Sequence, residues 1–148
     1  MITHSINKVK QAAIENPLVN QVCFGPIEEY DHKATIKYPY VNVDIVSCNL
    51  YNAAQTHKFR VYVMDRNKIE EAYNKTELII TDMMILLDVN SYTINYFNYN
   101  FKDMVNGVYA DIEIEGVVST DCTSDAYADI YGQEGFILTE NGDLIRQG

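Results

Sequence analysis

The firmest hydrophobic pattern lies between residues 40 and 90, where two alternating segments are followed by a long helical stripe. Apolar and polar side chains alternate over residues 41–45 and again over residues 58–63, which is typical of strands with one buried face. The apolar positions change phase at Ile45 and Val46, which predicts a β-bulge there. We expect the two strands to pair as an antiparallel hairpin.

Residues 68–90 predict one long amphipathic helix. Its principal stripe repeats at steps of three and four residues and consists of Ile69, Tyr73, Thr76, Ile80, Met83 and Leu87. Five more apolar residues widen the stripe in the second half of the helix: Leu78, Ile79, Met84, Ile85 and Leu86. Such a helix has to be covered by the sheet on one side and by more of the chain or another subunit on the other. Leu78, Met84 and Ile85 are therefore candidate interface residues.

Shorter patterns flank this central unit. Residues 5–16 predict a short helix that ends at a proline, and residues 21–25 predict a short strand. Residues 92–101 favour a strand because they are rich in tyrosine and phenylalanine. The dipeptide at 106–107, Asn-Gly, is typical of a hairpin turn, and residues 108–115 then alternate between apolar and largely acidic positions. Together these elements predict an α+β fold with a mostly antiparallel sheet, packed by one long helix and a short N-terminal helix.

The composition changes after Val118. Residues 119–134 are rich in Ser, Thr, Asp and Ala and predict an exposed connector. Two short apolar runs, 136–138 and 144–145, then flank a turn sequence and predict a small terminal hairpin. Because an isolated two-stranded hairpin is marginal in water, we expect it to dock on something. The chain thus divides into an α+β domain at 1–118 and an acidic C-terminal arm at 119–148.

Negative charge is concentrated in the last quarter of the chain. The formal net charge is −10, and residues 111–148 contain nine acidic residues against the single basic residue Arg146. Such a segment repels phosphate backbones, so we expect no sequence-specific binding of nucleic acid. It favours a basic protein surface as neighbour, although acids that only keep the protein soluble are an equally good explanation. The candidate contact residues of the arm are Asp121, Asp125, Asp129, Phe136 and Leu138.

The sequence contains little that predicts catalysis. Three cysteines lack the spacing of a zinc site or a disulfide framework, and three histidines, interpreted as surface residues, stand beside no candidate nucleophile. Asp121, Asp125 and Asp129 recur every four residues, which does not match a calcium-binding loop. Phosphate-binding and hydrolase motifs do not occur. We expect no enzymatic activity, cofactor or metal, and a protein made inside the cell without a membrane segment.

Tyrosine offers one alternative. The chain has 12 tyrosines, and Tyr92, Tyr96, Phe97 and Tyr99 lie in one predicted strand. Such side chains stack on sugars or bases in some binding modules. They are also common in strands and at subunit contacts, which is the interpretation we favour.

Six segments carry a resemblance to a known class of proteins. They are residues 6–16, NPLVNQVCFGPIEEYD at 16–31, YPYVNVDIV at 38–46, FRVYVMD at 59–65, the helix at 68–90, and GVYADIEIEGVV at 107–118. In order and pattern they resemble the tail-terminator, or tail-completion, class of head–tail connector proteins in tailed bacteriophages. The resemblance covers residues 2–118, and the arm at 119–148 departs from it.

The resemblance implies a structural virion protein without cofactor or catalytic residues. It would form a homo-oligomeric ring in the neck, assemble in the host cytoplasm, and contact neighbouring portal, neck or tail proteins. Two other classes of function remain open at this stage. One is a small ligand-binding module that uses the tyrosine-rich strand, and the other is an acidic adaptor that binds one basic partner.

Overall fold

A computed structural model of the chain describes residues 2–28, 35–51, 54–99, 105–116, 136–138 and 143–146. The described residues form two helices and seven strands. In chain order these are α1 (Ile2–Ile14), β1 (Gln21–Phe24), β2 (Tyr40–Tyr51), β3 (Ala54–Asp65), α2 (Ile69–Leu86), β4 (Asn95–Tyr99), β5 (Val105–Gly116), β6 (Phe136–Leu138) and β7 (Leu144–Arg146).

The strands form one sheet in the order β4-β5-β3-β2-β1-β7-β6. Every pair of neighbours is antiparallel except β1 and β2, which are parallel. This confirms the predicted α+β class and the mostly antiparallel sheet.

Both helices lie on one face of this sheet. The buried cluster between them joins residues of α1 and α2 to alternate residues of four strands. Its largest members by element are Val9 on α1, Ile79, Ile80, Met83 and Met84 on α2, and Val22, Val41, Phe59 and Ile112 on the strands. The opposite face carries a smaller cluster around Tyr40 and Met64, which the loop residues Ile27, Ile36 and Tyr38 partly cover. The sheet is therefore buried on both faces near β1 and the start of β2.

The predicted hairpin and its bulge are confirmed. Tyr40 of β2 pairs with Met64 of β3, and the antiparallel pairing continues to Tyr51 and Ala54, with one register shift between Ile45 and Ser47. The extra residue restores the alternation of faces after the shift, which explains why the apolar set changes phase in the sequence.

Helix α2 ends four residues earlier than predicted, at Leu86 instead of residue 90. Asp88 adopts a positive φ of 57°, a conformation in which Asp is tolerated better than most residues. The amide of Asp88 then donates to the carbonyl of Ile85, and the amide of Val89 donates to that of Met84. These two bonds make a Schellman motif, which turns the chain out of the helix and directs it back over the sheet.

The predicted turn at 106–107 is wrong, because Asn106 and Gly107 lie inside β5. Gly107 pairs with Met64, and a Cβ added at Gly107 would lie 2.2 Å from the carbonyl oxygen of Val63. Glycine is thus required for the close approach of two backbones, whereas the dipeptide alone indicates a turn.

The terminal hairpin is also present, but it docks within the chain. Strands β6 and β7 pair with each other, and β7 pairs with β1 through Gln21 and Val22. Gln21 Nε2 donates to Asp143 Oδ2 at 2.7 Å, which satisfies a buried carboxylate. The partner on which the hairpin was expected to dock is therefore, for residues 136–138 and 143–146, the sheet of its own chain.

Arg146, the single basic residue of the arm, holds the hairpin against α1. Its guanidinium donates to the carbonyls of Ile14, Asn16 and Val19 at 3.3, 3.2 and 3.1 Å. It also lies over the ring of Phe136, 4.7 Å from the centroid. The carbonyls at the end of α1 carry the negative end of the helix dipole, and α1 has no basic residue in its own last turn.

We expect Arg146→Ala to lower the free energy of unfolding by about 1–3 kcal/mol, because three carbonyls lose a charged donor. Arg146→Lys should recover only part of this loss, since an ammonium cannot reproduce the planar fork of donors. Chemical denaturation measures the difference, with Lys8→Ala on the exposed side of α1 as the control. If Arg146→Ala and Lys8→Ala unfold alike, the contact does not stabilise the fold.

A second polar contact holds the other end of α1. Ser5 Oγ and His57 Nδ1 share a hydrogen bond of 2.7 Å, and the His57 side chain is 2% exposed. His57 was interpreted as a surface residue from its position at the start of a strand, and this was wrong. It lies on the same face of β3 as Phe59, under α1. Burial lowers the pKa of His57 below its usual value of 6.5.

Because the folded protein holds His57 neutral, the unfolded chain binds a proton more readily below about pH 6.5, which shifts the equilibrium toward unfolding. We therefore expect the thermal midpoint to fall as the pH is lowered from about 7.5 to about 5.5. His57→Gln should be less stable at the higher pH, but its midpoint should change less over the same interval. Equal pH dependence of the two proteins would contradict this role of His57.

Candidate functional site

Strands β2, β3 and β5 extend beyond the short strands β1 and β4 and form a three-stranded projection. We call residues 44–51 of β2, 54–61 of β3 and 110–116 of β5 the ribbon. β3 pairs with β2 and with β5 over nearly its whole length. The ribbon is thus three strands wide, whereas the rest of the sheet also contains β4 on one side and β1, β7 and β6 on the other.

Both outer edges of the ribbon are left open by the described residues. β1 pairs only with Tyr40–Val43 of β2, and β4 pairs only with Val105–Tyr109 of β5. Beyond these points, neither 44–51 nor 110–116 pairs with a further described strand. Such an edge presents backbone N–H and C=O groups that a further strand can satisfy.

One side of the ribbon carries exposed apolar side chains. Ile45, Val46 and Leu50, which we call the ribbon patch, are 42%, 52% and 67% exposed. Val46 belongs to the bulge, and Ile45 and Leu50 lie opposite Phe59 and Gln55 on the side of the sheet that carries the helices. An apolar groove of about 470 Å³ lies there between Ile2 of α1 and the ribbon.

A second exposed apolar surface lies on α2. Leu78, Ile85 and Leu86, which we call the helix patch, are 52%, 70% and 54% exposed and share one side of the helix. Leu78 and Ile85 were predicted interface residues, and they are accessible to a partner. Met84, predicted with them, is only 1% exposed and belongs to the core, so that prediction is corrected. Met84 faces the sheet because it lies next to Met83 and Ile80 on the buried side of α2.

The polar face of the ribbon carries charges of both signs. Arg60 Nε and Nη2 donate to Asp111 Oδ1 and Oδ2 at 2.7 and 3.2 Å, and Lys58 stands opposite Glu113 in the register. The guanidinium lowers the pKa of Asp111, and the carboxylate raises that of Arg60. Since both side chains are well exposed, the pair adds no more than about 1 kcal/mol. Arg60 and Lys58 of β3 thus partly neutralise the acidic side chains of β5. In the sequence these acids belong to the acidic segment 111–148.

A groove of about 690 Å³ runs beside the open edge of β5. The residues that follow α2, Leu87 to Ser91, form its other wall. The Schellman turn at Asp88 produces this wall because it sends the chain back toward β5. The groove therefore leaves space next to the unpaired backbone of 110–116.

The aromatic residues of β4 form packing contacts. On the polar face, Phe97, Tyr62 and Tyr109 pack with ring centroids 5.5–6.1 Å apart. Tyr96 packs edge-on against Tyr73 of α2 at 5.0 Å, and its hydroxyl donates to Glu77 at 3.2 Å, which raises the pKa of Tyr96. Contacts of this kind occupy ring faces that a stacked sugar or base would need.

The arm residues proposed as contacts are only partly placed. Asp121, Asp125 and Asp129 lie outside the described residues. Phe136 is half-buried beneath Arg146, so it serves the fold of its own chain. The backbone of Leu138 pairs with Leu144, and its side chain lies outside the description.

The described residues bring together little that predicts chemistry. They contain no group of three or more His, Cys, Asp or Glu side chains able to hold a metal ion. The Ser5 and His57 side chains are both buried, so no substrate reaches the Ser5 hydroxyl in this conformation. Cys23 is buried and Cys48 is exposed, and neither forms a disulfide among the described residues. Neither described helix is sufficiently long and apolar to span a membrane.

The open edges are the feature that sequence reasoning missed. The sequence contains a signal for the open edge of β2. The strand predicted at 21–25 is shorter than the strand that begins at residue 40 and continues to about residue 50, so it cannot cover the whole of that edge. The edge of β5 carries no comparable signal.

No protein-family model matches this chain, and no curated protein matches it. The ribbon, its open edges and the two apolar patches are therefore the observations from which a function has to be argued.

Proposed function

We propose that this protein is a structural subunit that assembles with copies of itself into a ring at the head–tail junction of a tailed bacteriophage. The observation that carries the proposal is the presence of two separate exposed apolar patches, one on the ribbon and one on α2. Both patches are exposed in the part of a single copy that the structure describes. Large apolar side chains grouped in this way typically mark surfaces that bind protein.

The placement of the two patches favours a ring over a closed dimer. The ribbon patch lies on a projecting sheet, whereas the helix patch lies on α2, which packs over the body of that sheet. Two different surfaces on one subunit suit a head-to-tail contact, in which one surface of each copy meets another surface of the next. Such contacts generate rings when the rotation between copies closes.

The location in a phage neck rests on the resemblance of residues 2–118 to tail-terminator proteins. The α+β fold agrees with it, because that class builds its rings from a sheet packed by one long and one short helix. A structural role needs no cofactor or catalytic group. In this proposal the neighbouring portal, neck or tail proteins supply the remaining partners.

We expect light scattering of the purified protein to show particles well above the 16.9 kDa of one chain as the concentration rises. Leu86→Lys should reduce the particle mass, because it places a charge in the helix patch. Its thermal midpoint should be close to that of the wild type, since Leu86 is exposed. The matched control is Asn74→Lys, at an exposed polar position of the same helix.

Some rings assemble only on their neighbours, so the measurement is repeated in the presence of the adjoining portal or tail proteins. A protein that stays monomeric under both conditions would contradict the proposed function. That outcome would favour a small binding module or an adaptor.

A further inference from the structure

We propose that the open edge of β5 binds an extended basic segment of another protein, which adds one more strand to the ribbon beside residues 111–115. The segment alternates basic and apolar residues. This inference goes beyond the proposed function, because it concerns a surface that the contact between the ribbon patch and the helix patch does not use. It holds for a single copy as well as for a ring.

The edge of β5 offers backbone groups to a further strand. Residues 110–116 pair with β3 on one side and with no described strand on the other. Residues 87–91 pass beside this edge, but no backbone hydrogen bond joins them to β5 among the described residues. Alternate residues of an edge strand point their N–H and C=O groups outward, and an extended peptide satisfies these groups by strand addition.

The groove and β4 together limit the length of the bound segment. The groove of about 690 Å³ borders residues 111–115 of β5 on one side and residues 87–91 on the other. Residues 111–115 correspond to about 17 Å of strand. β4 already lies beside Val105–Tyr109, so a partner strand that ran further along β5 would overlap it. The partner is therefore a short piece of extended chain, such as a terminus.

The polar face of this edge carries a row of carboxylates. Asp111, Glu113 and Glu115 are exposed there at alternate positions. Arg60 and Lys58 of β3 stand opposite the first two, and β3 has no basic residue opposite Glu115. Directly opposed side chains of neighbouring strands lie about 5 Å apart, and opposite charges stabilise such pairs. Basic residues on the added strand would thus continue the alternation of charge across the sheet.

The groove as a whole is net negative. Its charged lining consists of four acidic and two basic residues: Asp88, Asp111, Glu113 and Glu115 against Lys8 and Lys58. Lys58 already stands opposite Glu113 within the sheet. An excess of acidic side chains attracts a basic segment and disfavours an acidic one.

The other face of the edge is apolar. Ile112 and Ile114 lie on the helix side of β5 and belong to the core, and Leu87 and Val89 pack against the same core. Every second residue of an added strand would project to this side, where apolar side chains are favoured. The resulting pattern of basic and apolar residues reads the same in both directions of the segment.

The open edges of a second copy do not supply such a segment. The described strands β4 and β6 have the sequences NYFNY and FIL, and the uncovered part of β2 reads DIVSCNLY. None of the three contains Lys or Arg. Two β5 edges around a two-fold axis would place acidic rows beside each other, which is destabilising. Charge therefore favours a different protein as the partner.

Peptide binding to the full chain tests the inference. The probe is a KVKVK peptide that is capped at both ends and carries a fluorophore. Fluorescence anisotropy measures its affinity, and hydrogen exchange with mass spectrometry locates it. We expect exchange to slow in fragments that contain residues 110–116. Exchange at residues 44–51 should not change, because that open edge lacks a row of acids.

Two control peptides separate strand addition from attraction between charges. EVEVE should not bind, since the groove repels it. A KVKVK peptide that is methylated on its three central amides keeps its charge and side chains but loses backbone donors. It should bind far more weakly than KVKVK.

A pair of protein variants tests the acidic row. Glu115→Lys should weaken the binding of KVKVK about tenfold, because an attractive cross-strand pair becomes a repulsive one. Its thermal midpoint should stay close to that of the wild type, since Glu115 is exposed. Glu71→Lys makes the same change of charge at an exposed position of α2 and should bind KVKVK as the wild type does.

The remaining outcomes overturn one proposal or the other. Equal binding of KVKVK and its methylated form, or unchanged exchange at 110–116 with KVKVK bound, would overturn strand addition at β5. Exchange at 110–116 that slows with protein concentration alone would overturn it in favour of a second copy. A ring that does not bind KVKVK would overturn only this inference. A protein that binds KVKVK but stays monomeric, also with the neighbouring neck proteins, would overturn only the proposed function.

Discussion

The pairing of β3 with a long partner on each side is the constraint on which the rest of the structure depends. β3 lies inside the sheet between β5 and β2 and pairs with both over almost its whole length. Its residues on one face form the floor on which both helices pack, and those on the other face carry the charges of the ribbon. Because β2, β3 and β5 are each longer than β1 and β4, these three strands project past the body of the sheet. The core and the candidate interface therefore have the same origin.

Much of this arrangement could be predicted because alternation is a local signal. The periods along 41–45, 58–63 and 108–115 determine which face each residue joins, and the change of phase near Ile45 located the bulge. Long-range contacts leave no such signal. Asn106-Gly107 is a turn by local preference. The backbone that Gly107 approaches, at Met64, lies 43 residues earlier in the chain and cannot be seen from a dipeptide, and the glycine serves that approach. His57 was misplaced for the same reason, since only the fold brings α1 over it.

The candidate site was predicted in part. The excess width of the apolar stripe on α2 predicted an interface at Leu78, Met84 and Ile85. Leu78 and Ile85 are exposed, but width alone does not tell which residues face the sheet, and Met84 does. Counting charge along residues 111–148 gave a single acidic segment. In the fold, Asp111 binds Arg60, Asp143 binds Gln21, and Arg146 binds α1. Charge along a sequence is thus a poor guide to surface potential where a sheet brings distant strands together.

The contacts of Arg146 also bear on the order in which the protein folds. The bond from Arg146 to the carbonyl of Ile14 closes a loop of 132 residues, one of the longest separations that the chain offers. Closing such a loop from an open chain carries a high entropic cost, whereas the β2–β3 hairpin forms between adjacent segments. The first helix is synthesised early but acquires its C-terminal cation only when nearly the whole chain is available. Capping of that helix by Arg146 is therefore expected to be a late event, after β2, β3 and β5 have paired.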